Sequence, residues 1–241
     1  MLEVLVLSVM AGLATVIGAL AILAFGKPEE KTLAIFFGLA AGIMFSVAVI
    51  DLLPSSFQYG SLTSMLAGLI FGICLLKVLS LLLNLEKLSR SGRDSIYLRR
   101  MGYLIAIGIS LHDLPEGIAI AAGFTATVRL GWKIAIAIGL HNIPEGMITA
   151  APLVMSGLAP LRVLATTGIV SIFTPLGTLL GLVIVSISKS YVSFLLAMAA
   201  GAMIYIVLFE IIPEGKKRHP NYARLGMVLG VLLIIFLLLF E

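Results

Sequence analysis

Two stretches of this 241-residue chain nearly repeat each other, SLHDLPEG at 110–117 and GLHNIPEG at 139–146. Each carries a histidine, a second polar side chain and a glutamate in the same order. His112 and Glu116 are four residues apart, as are His141 and Glu145. At ~100° per residue a helix sets each pair on one face. Asp113 and Asn142, one residue on, lie about 100° round the same side. Each helix thus offers an imidazole nitrogen, a carboxylate and one further oxygen within a narrow arc. Mixed imidazole and carboxylate donors suit zinc, iron and related divalent ions, whereas magnesium and calcium prefer oxygen alone.

The setting makes these groups expensive. The chain is 61% hydrophobic and 12% charged, whereas a soluble domain is about half apolar and a quarter charged. A membrane protein follows. At the bilayer centre Asp113, Glu116 and Glu145 together cost about 8–10 kcal/mol on the lenient insertion scale. A divalent cation offsets that cost. Hydrogen bonding between the histidines and glutamates as mere polar glue explains neither the repeated spacing nor Pro115 and Pro144. Each proline removes an N–H and clashes with the carbonyl four residues back, freeing those of Leu111 and Leu140 and kinking the helix. In lipid a freed carbonyl needs protein, water or an ion. Gly117 and Gly146 let the two helices pack closely.

Apolar runs of ~20 residues, enough to cross a membrane, recur along the chain. They predict eight spans at approximately 2–25, 32–54, 62–85, 101–124, 131–155, 161–186, 191–213 and 223–240, with no soluble domain. The first run has no preceding basic residue and exceeds a signal h-region, so it counts as a span. Cys74 lies within the third span, where a small core residue is expected. Twelve of the sixteen Lys and Arg fall after odd-numbered spans: Lys27, Lys31, Lys87, Arg90, Arg93, Arg99, Arg100, Arg162, Lys216, Lys217, Arg218 and Arg224. This is a topology signal rather than a nucleic-acid surface, and the positive-inside rule places both termini outside.

A second internal match sets AAGIMFSVAVIDLLP at 40–54 against AAGAMIYIVLFEIIP at 199–213. Spans 2 and 7 run in opposite directions, so the pair is inverted in the membrane. Inverted repeats are the architecture of secondary transporters, with the site near the midplane where the repeats meet. Asp51 then lies toward the outer end of span 2, and Glu210 and Glu214 toward the inner end of span 7, flanking a path. Alternatively, Asp51 and Glu214 simply reach interfacial water.

Two consecutive H-[DN]-x-P-E-G spans, eight crossings and an inverted 2/7 pair resemble the prokaryotic branch of the ZIP (Zrt-, Irt-like) divalent-metal transporters, over essentially the whole chain. The resemblance implies one all-α polytopic transporter domain over residues 1–241, with inverted three-helix repeats, spans 1–3 and 6–8, around spans 4 and 5. It also implies a mid-membrane site and import of zinc, or of iron, manganese, cadmium or cobalt, into the cytoplasm. His112, Glu116, His141 and Glu145 would hold one ion, and Asp113 and Asn142 a second, bridged by the glutamates. Two departures stand out. Many members place a glutamate before the proline of span 6, where this chain has Thr174 before Pro175 in SIFTPLG. The second position is therefore short of one carboxylate. The loop after span 3 also lacks the metal-binding histidines of some relatives, and His219, the one loop histidine, is expected to be solvated.

The expected path takes a hydrated ion past Asp51, onto spans 4 and 5, and out past Glu210 and Glu214. Binding requires deprotonated carboxylates and neutral imidazoles, so affinity is expected to fall with pH. No G-x-x-x-x-G-K-[ST] loop speaks for ATP. A metal-selective channel shares the same ligands. An intramembrane metalloenzyme would be expected to show H-E-x-x-H or E-x-x-H rather than H-x-x-x-E, so no catalytic residue and no catalytic cofactor is assigned. The expected partners are divalent ions, the lipid bilayer of the plasma membrane and, if the chain assembles, a second copy in a homodimer.

Overall fold

The computed structural model describes residues 2–26, 29–82, 94–184 and 189–238. They form eight helical rods: α1 Leu2–Phe25, α2 Glu30–Tyr59, α3 Leu62–Leu82, α4 Asp94–Ala126, α5 Val128–Met155, α6 Pro160–Val170 continued by Phe173–Ile184, α7 over 189–218, and α8 Pro220–Leu238. Seven are long and apolar enough to cross a membrane, and the apolar stretch of α8, Pro220–Phe236, is shorter. The protein is thus a multi-pass helical membrane protein. Lys27, Lys87, Arg90 and Arg93 lie outside the described residues.

The rods run past the expected boundaries where polar residues continue the helix into the interface. α4 begins at Asp94 rather than 101, and α7 reaches Arg218 rather than 213. α6, expected as one rod, breaks at Ser171–Ile172. Pro175 lies four residues after Ser171 and has no N–H for the Ser171 carbonyl, so the ladder stops there. Both Pro115 and Pro144, by contrast, stand inside continuous helices.

The matched segments of α2 and α7 share a local distortion. Val47–Leu52 and Val207–Ile211 are π-helical, with Leu53 N–H bonded to Ala48 O and Ile212 N–H to Val207 O. In each case a proline follows within two residues, Pro54 or Pro213, and its missing N–H and its ring widen the turn. Asp51 and Glu210 therefore sit in equivalent irregular turns.

Packing extends the equivalence to the whole bundle. α2 packs most extensively on α8 and α7 on α3, while α1 packs on α5 and α6 on α4. Exchanging α1 with α6, α2 with α7, α3 with α8 and α4 with α5 leaves this pattern unchanged. The close approaches obey the same exchange. A Cβ on Gly18 would meet the Ile143 carbonyl and one on Gly177 the Leu114 carbonyl, while Gly146 faces Thr15 and Gly117 faces Thr174. Thr15 and Thr174, like Gly18 and Gly177, are separated by the same 159 residues as Asp51 and Glu210.

The ends of the bundle differ in charge. At one end Lys217 lies over Tyr97, Lys31 over Tyr222, and Arg218 pairs with Glu30. At the other, Trp132 bonds Glu3 and Ser56 bonds Ser193. Two expectations are corrected. Cys74 is exposed on α3 rather than in the core, because that helix buries only a narrow glycine-lined stripe, Gly68, Gly72, Leu76 and Ser80. His219 is half-buried rather than solvated. It ends α7, its ring packs edge-on to Tyr222 at 4.6 Å, and its Nδ1 is covered.

Candidate metal centre

The contact between α4 and α5 brings the two HxxxE faces together, and α6 and α1 cover them from outside. All six of His112, Asp113, Glu116, His141, Asn142 and Glu145 are buried. His112 lies 3.3 Å from Glu116 Oε1 through Nδ1 and 3.2 Å from Glu145 Oε2 through Nε2. Its Nδ1 is also 3.6 Å from Asp113 Oδ1. His141 Nε2 stands 3.0 Å from Glu116 Oε1. Ligand atoms of His112, Asp113 and Glu116 lie within 4.8 Å of one another, close enough to share an ion.

Hydrogen bonding within the cluster does not satisfy it. The contacts of His112 with Glu116 and Glu145 lack hydrogen-bond geometry, and both oxygens of Asp113, Glu145 Oε1, Glu116 Oε2 and Asn142 Oδ1 are buried without a hydrogen-bond partner. Buried polar groups are normally paired, and an unpaired one costs about 1–3 kcal/mol. Asn142 donates its amide to the Ala11 carbonyl at 3.0 Å, which turns its Oδ1 away from α1. The unpaired atoms are nearly all acceptors, drawn from two helices and converging. The mixed nitrogen and oxygen donors of His112, Asp113 and Glu116, the three that lie close together, are of the kind that suits a divalent cation as substrate.

A cavity of about 320 Å³ reaches this cluster from the Tyr59 end of the bundle. Asp51 and Ser55 of α2 flank its mouth, Glu116 and His141 form its floor, and its walls are apolar residues of α4, α5 and α7. Ser55 donates to Asp51 at 3.2 Å.

The opposite half of the bundle carries the acids of α7. Glu210 and Glu214 are both buried. Ser80 of α3 donates to Glu210 at 3.2 Å. Arg218 donates to Glu214 Oε1 through Nε at 2.8 Å and Nη2 at 2.7 Å, and reaches Glu30 of α2 with Nη1 at 2.8 Å. One guanidinium thus ties α7 to α2. The sequence reading passed over this clasp, although Glu214 and Arg218 are an acid and a base four residues apart at a helix end, the spacing of a helical ion pair.

Thr174 is fully buried at the α6 break, with its carbonyl against Gly117 beside Glu116. Its hydroxyl has no partner, and the same holds for Thr15 on α1, which the sequence reading also missed.

The profile of the ZIP Zinc transporter family matches residues 84–238. The chain is 32% identical over 226 residues to the Zinc transporter ZupT of Escherichia fergusonii, covering 90% of this chain and 88% of that protein. It is 30% identical over 248 residues to the Zinc transporter ZupT of Chlorobium luteolum, covering 94% and 93% of the two chains. Against the Zinc transporter ZupT of Salmonella heidelberg it is 32% identical over 232 residues, covering 92% and 90%. With helices, repeat and buried ligand cluster in agreement with this, the chain belongs to the ZIP zinc transporter family.

Proposed function

We propose that the chain carries divalent transition-metal ions, zinc foremost, across the plasma membrane into the cytoplasm. The observation that carries this reading is the cluster of unpaired donors from α4 and α5 at the floor of a cavity open toward one end. The relatives named above are zinc transporters, and the donor set suits zinc, with iron, manganese, cadmium and cobalt as further candidates. The basic end that holds Arg218 is assigned to the cytoplasm by the positive-inside rule, and the Asp51 mouth to the outside.

A hydrated ion is drawn in by Asp51 and exchanges water for His112, Glu116, His141 and Glu145, with Asp113 and Asn142 at a second position. It leaves past Glu210 and Glu214 once Arg218 lets go of Glu214. The role is carriage without any bond-making step. The buried Glu210 and Glu214 and the Arg218 clasp favour a carrier with alternating access over an open channel, and the pseudo-symmetric pairing of rods supplies the second state, since exchanging the halves opens the other end.

Initial rates of zinc uptake into proteoliposomes, measured against zinc concentration, test the reading. Saturation in the micromolar range with slow turnover is expected. Flux that stays linear in concentration would favour a channel with the same ligands.

A further inference from the structure

Thr15 and Thr174 occupy equivalent places in the two halves of the fold, and both hydroxyls are buried without a hydrogen-bond partner. A helical threonine ordinarily turns its hydroxyl back to the carbonyl four residues earlier. Thr125, Thr149, Thr166, Thr167 and Thr178 all do so, at 2.8–3.2 Å. For Thr174 the corresponding carbonyl, that of Val170, lies beyond the α6 break. Thr15 has no such excuse, because α1 is unbroken around it. Its expected acceptor, the Ala11 carbonyl, receives the Asn142 amide instead.

Thr15 lies on the part of α1 that packs against the candidate-ligand stretch of α5. Its main chain fills the space beside Gly146, the residue after Glu145. One turn earlier, Ala11 is bonded to Asn142. On that stretch of α5, Asn142 Oδ1 and Glu145 Oε1 are likewise buried and unpaired. Thr15 thus carries a buried hydroxyl with no bond of its own on the part of α1 that packs beside Gly146. Thr174 carries one on the part of α6 that packs beside Gly117, next to Glu116.

We propose that the Thr15 hydroxyl is a specificity-determining oxygen donor to the transported ion or to its bound water, the counterpart on the α5 side of Thr174 on the α4 side. The proposal rests on the transport-site reading above. A neutral, hard oxygen adds more to the binding of an oxygen-preferring ion such as manganese than to that of cadmium, which is softer and leans on imidazole. Two hydroxyls in place of a carboxylate also keep the site less negative, which leaves the imidazoles a larger share in choosing the ion.

The test is equilibrium binding of manganese, zinc and cadmium to the purified full-length protein in detergent, for wild type, Thr15→Val and Thr15→Ser. Thr15→Val keeps the shape and removes the hydroxyl. It is expected to lower manganese affinity about tenfold relative to cadmium, with the metal-free melting temperature unchanged because no bond is lost. Thr15→Ser restores the ratio. Should the valine variant not fold, Thr15→Ala removes the same oxygen and carries the same expectation. An unchanged manganese-to-cadmium ratio overturns the proposal, as does an equal loss for all three metals that serine does not repair. Wild-type protein that binds none of the metals overturns the transport-site reading itself, and the proposal with it.

Discussion

Glu116 on α4 stands 3.0 Å from His141 on α5 and 3.3 Å from His112 on its own helix. A single carboxylate oxygen thus faces both imidazoles and joins the two halves of the cluster. Glu116→Gln keeps the size of the side chain and removes its charge. Zinc affinity, measured by titration calorimetry on purified protein, is expected to fall by about 100-fold or more, beyond the ~10–100-fold usual for groups that only support a metal ligand. Binding within a few-fold of wild type would place the ion elsewhere.

Gly117 and Gly146, expected to bring α4 and α5 together, instead face α6 and α1 and decide how closely those helices approach. A Cβ on Gly117 would collide with the Thr174 carbonyl and one on Gly146 with the Thr15 carbonyl, both main-chain atoms that cannot turn aside. Gly117→Ala and Gly146→Ala are each expected to destabilise by about 1–3 kcal/mol, as overpacking does, and to weaken zinc binding. Gly168→Ala is the control, since nothing lies within 4 Å of its Cβ position. Thermal unfolding in detergent should show a lower midpoint for the first two variants and none for the control.

Arg218 and Glu214 form the clasp on the α7 half, with the carboxylate almost wholly buried. Arg218→Gln leaves that charge in place without its partner, which costs about 3–5 kcal/mol where burial is complete. The double variant Arg218→Gln/Glu214→Gln is expected to recover a large part of the loss. Unfolding free energies of the four proteins in a double-mutant cycle measure the coupling. Additive losses would mean that the pair does not hold the inner end shut.

Asp51 is exposed and lines the cavity; on the proposed path it attracts the ion rather than capturing it. Asp51→Asn is expected to raise the KM for zinc about three- to tenfold at low ionic strength, with little change in the maximal rate. The difference should shrink as salt shortens the Debye length below about 8 Å. A collapse of the maximal rate would instead make Asp51 part of the binding site.

Much of this was legible in the chain because in a membrane each charged residue needs a reason. The HxxxE spacing placed His112, Glu116, His141 and Glu145 on two facing helices, and IDLLP against FEIIP located matching distortions in α2 and α7. Other features depend on contacts between segments far apart in sequence. The pairing of α1 with α5 is invisible in α1 itself, so Thr15 reads as one more threonine in an apolar helix until Asn142 is seen taking its acceptor. Glu30 lies 188 residues from Arg218, and nothing local to either announces the clasp. The break in α6 was signalled by Pro175, but the continuity of α4 and α5 through Pro115 and Pro144 shows that proline alone does not decide where a packed rod ends.

The most direct test of the central claim is zinc uptake into proteoliposomes by wild type, His141→Ala and Glu145→Ala, with bound zinc counted in the same three preparations. The account predicts uptake by the wild type and loss of both uptake and bound zinc in the two variants. Undiminished uptake in either variant, or a wild type that binds zinc and moves none, would contradict it.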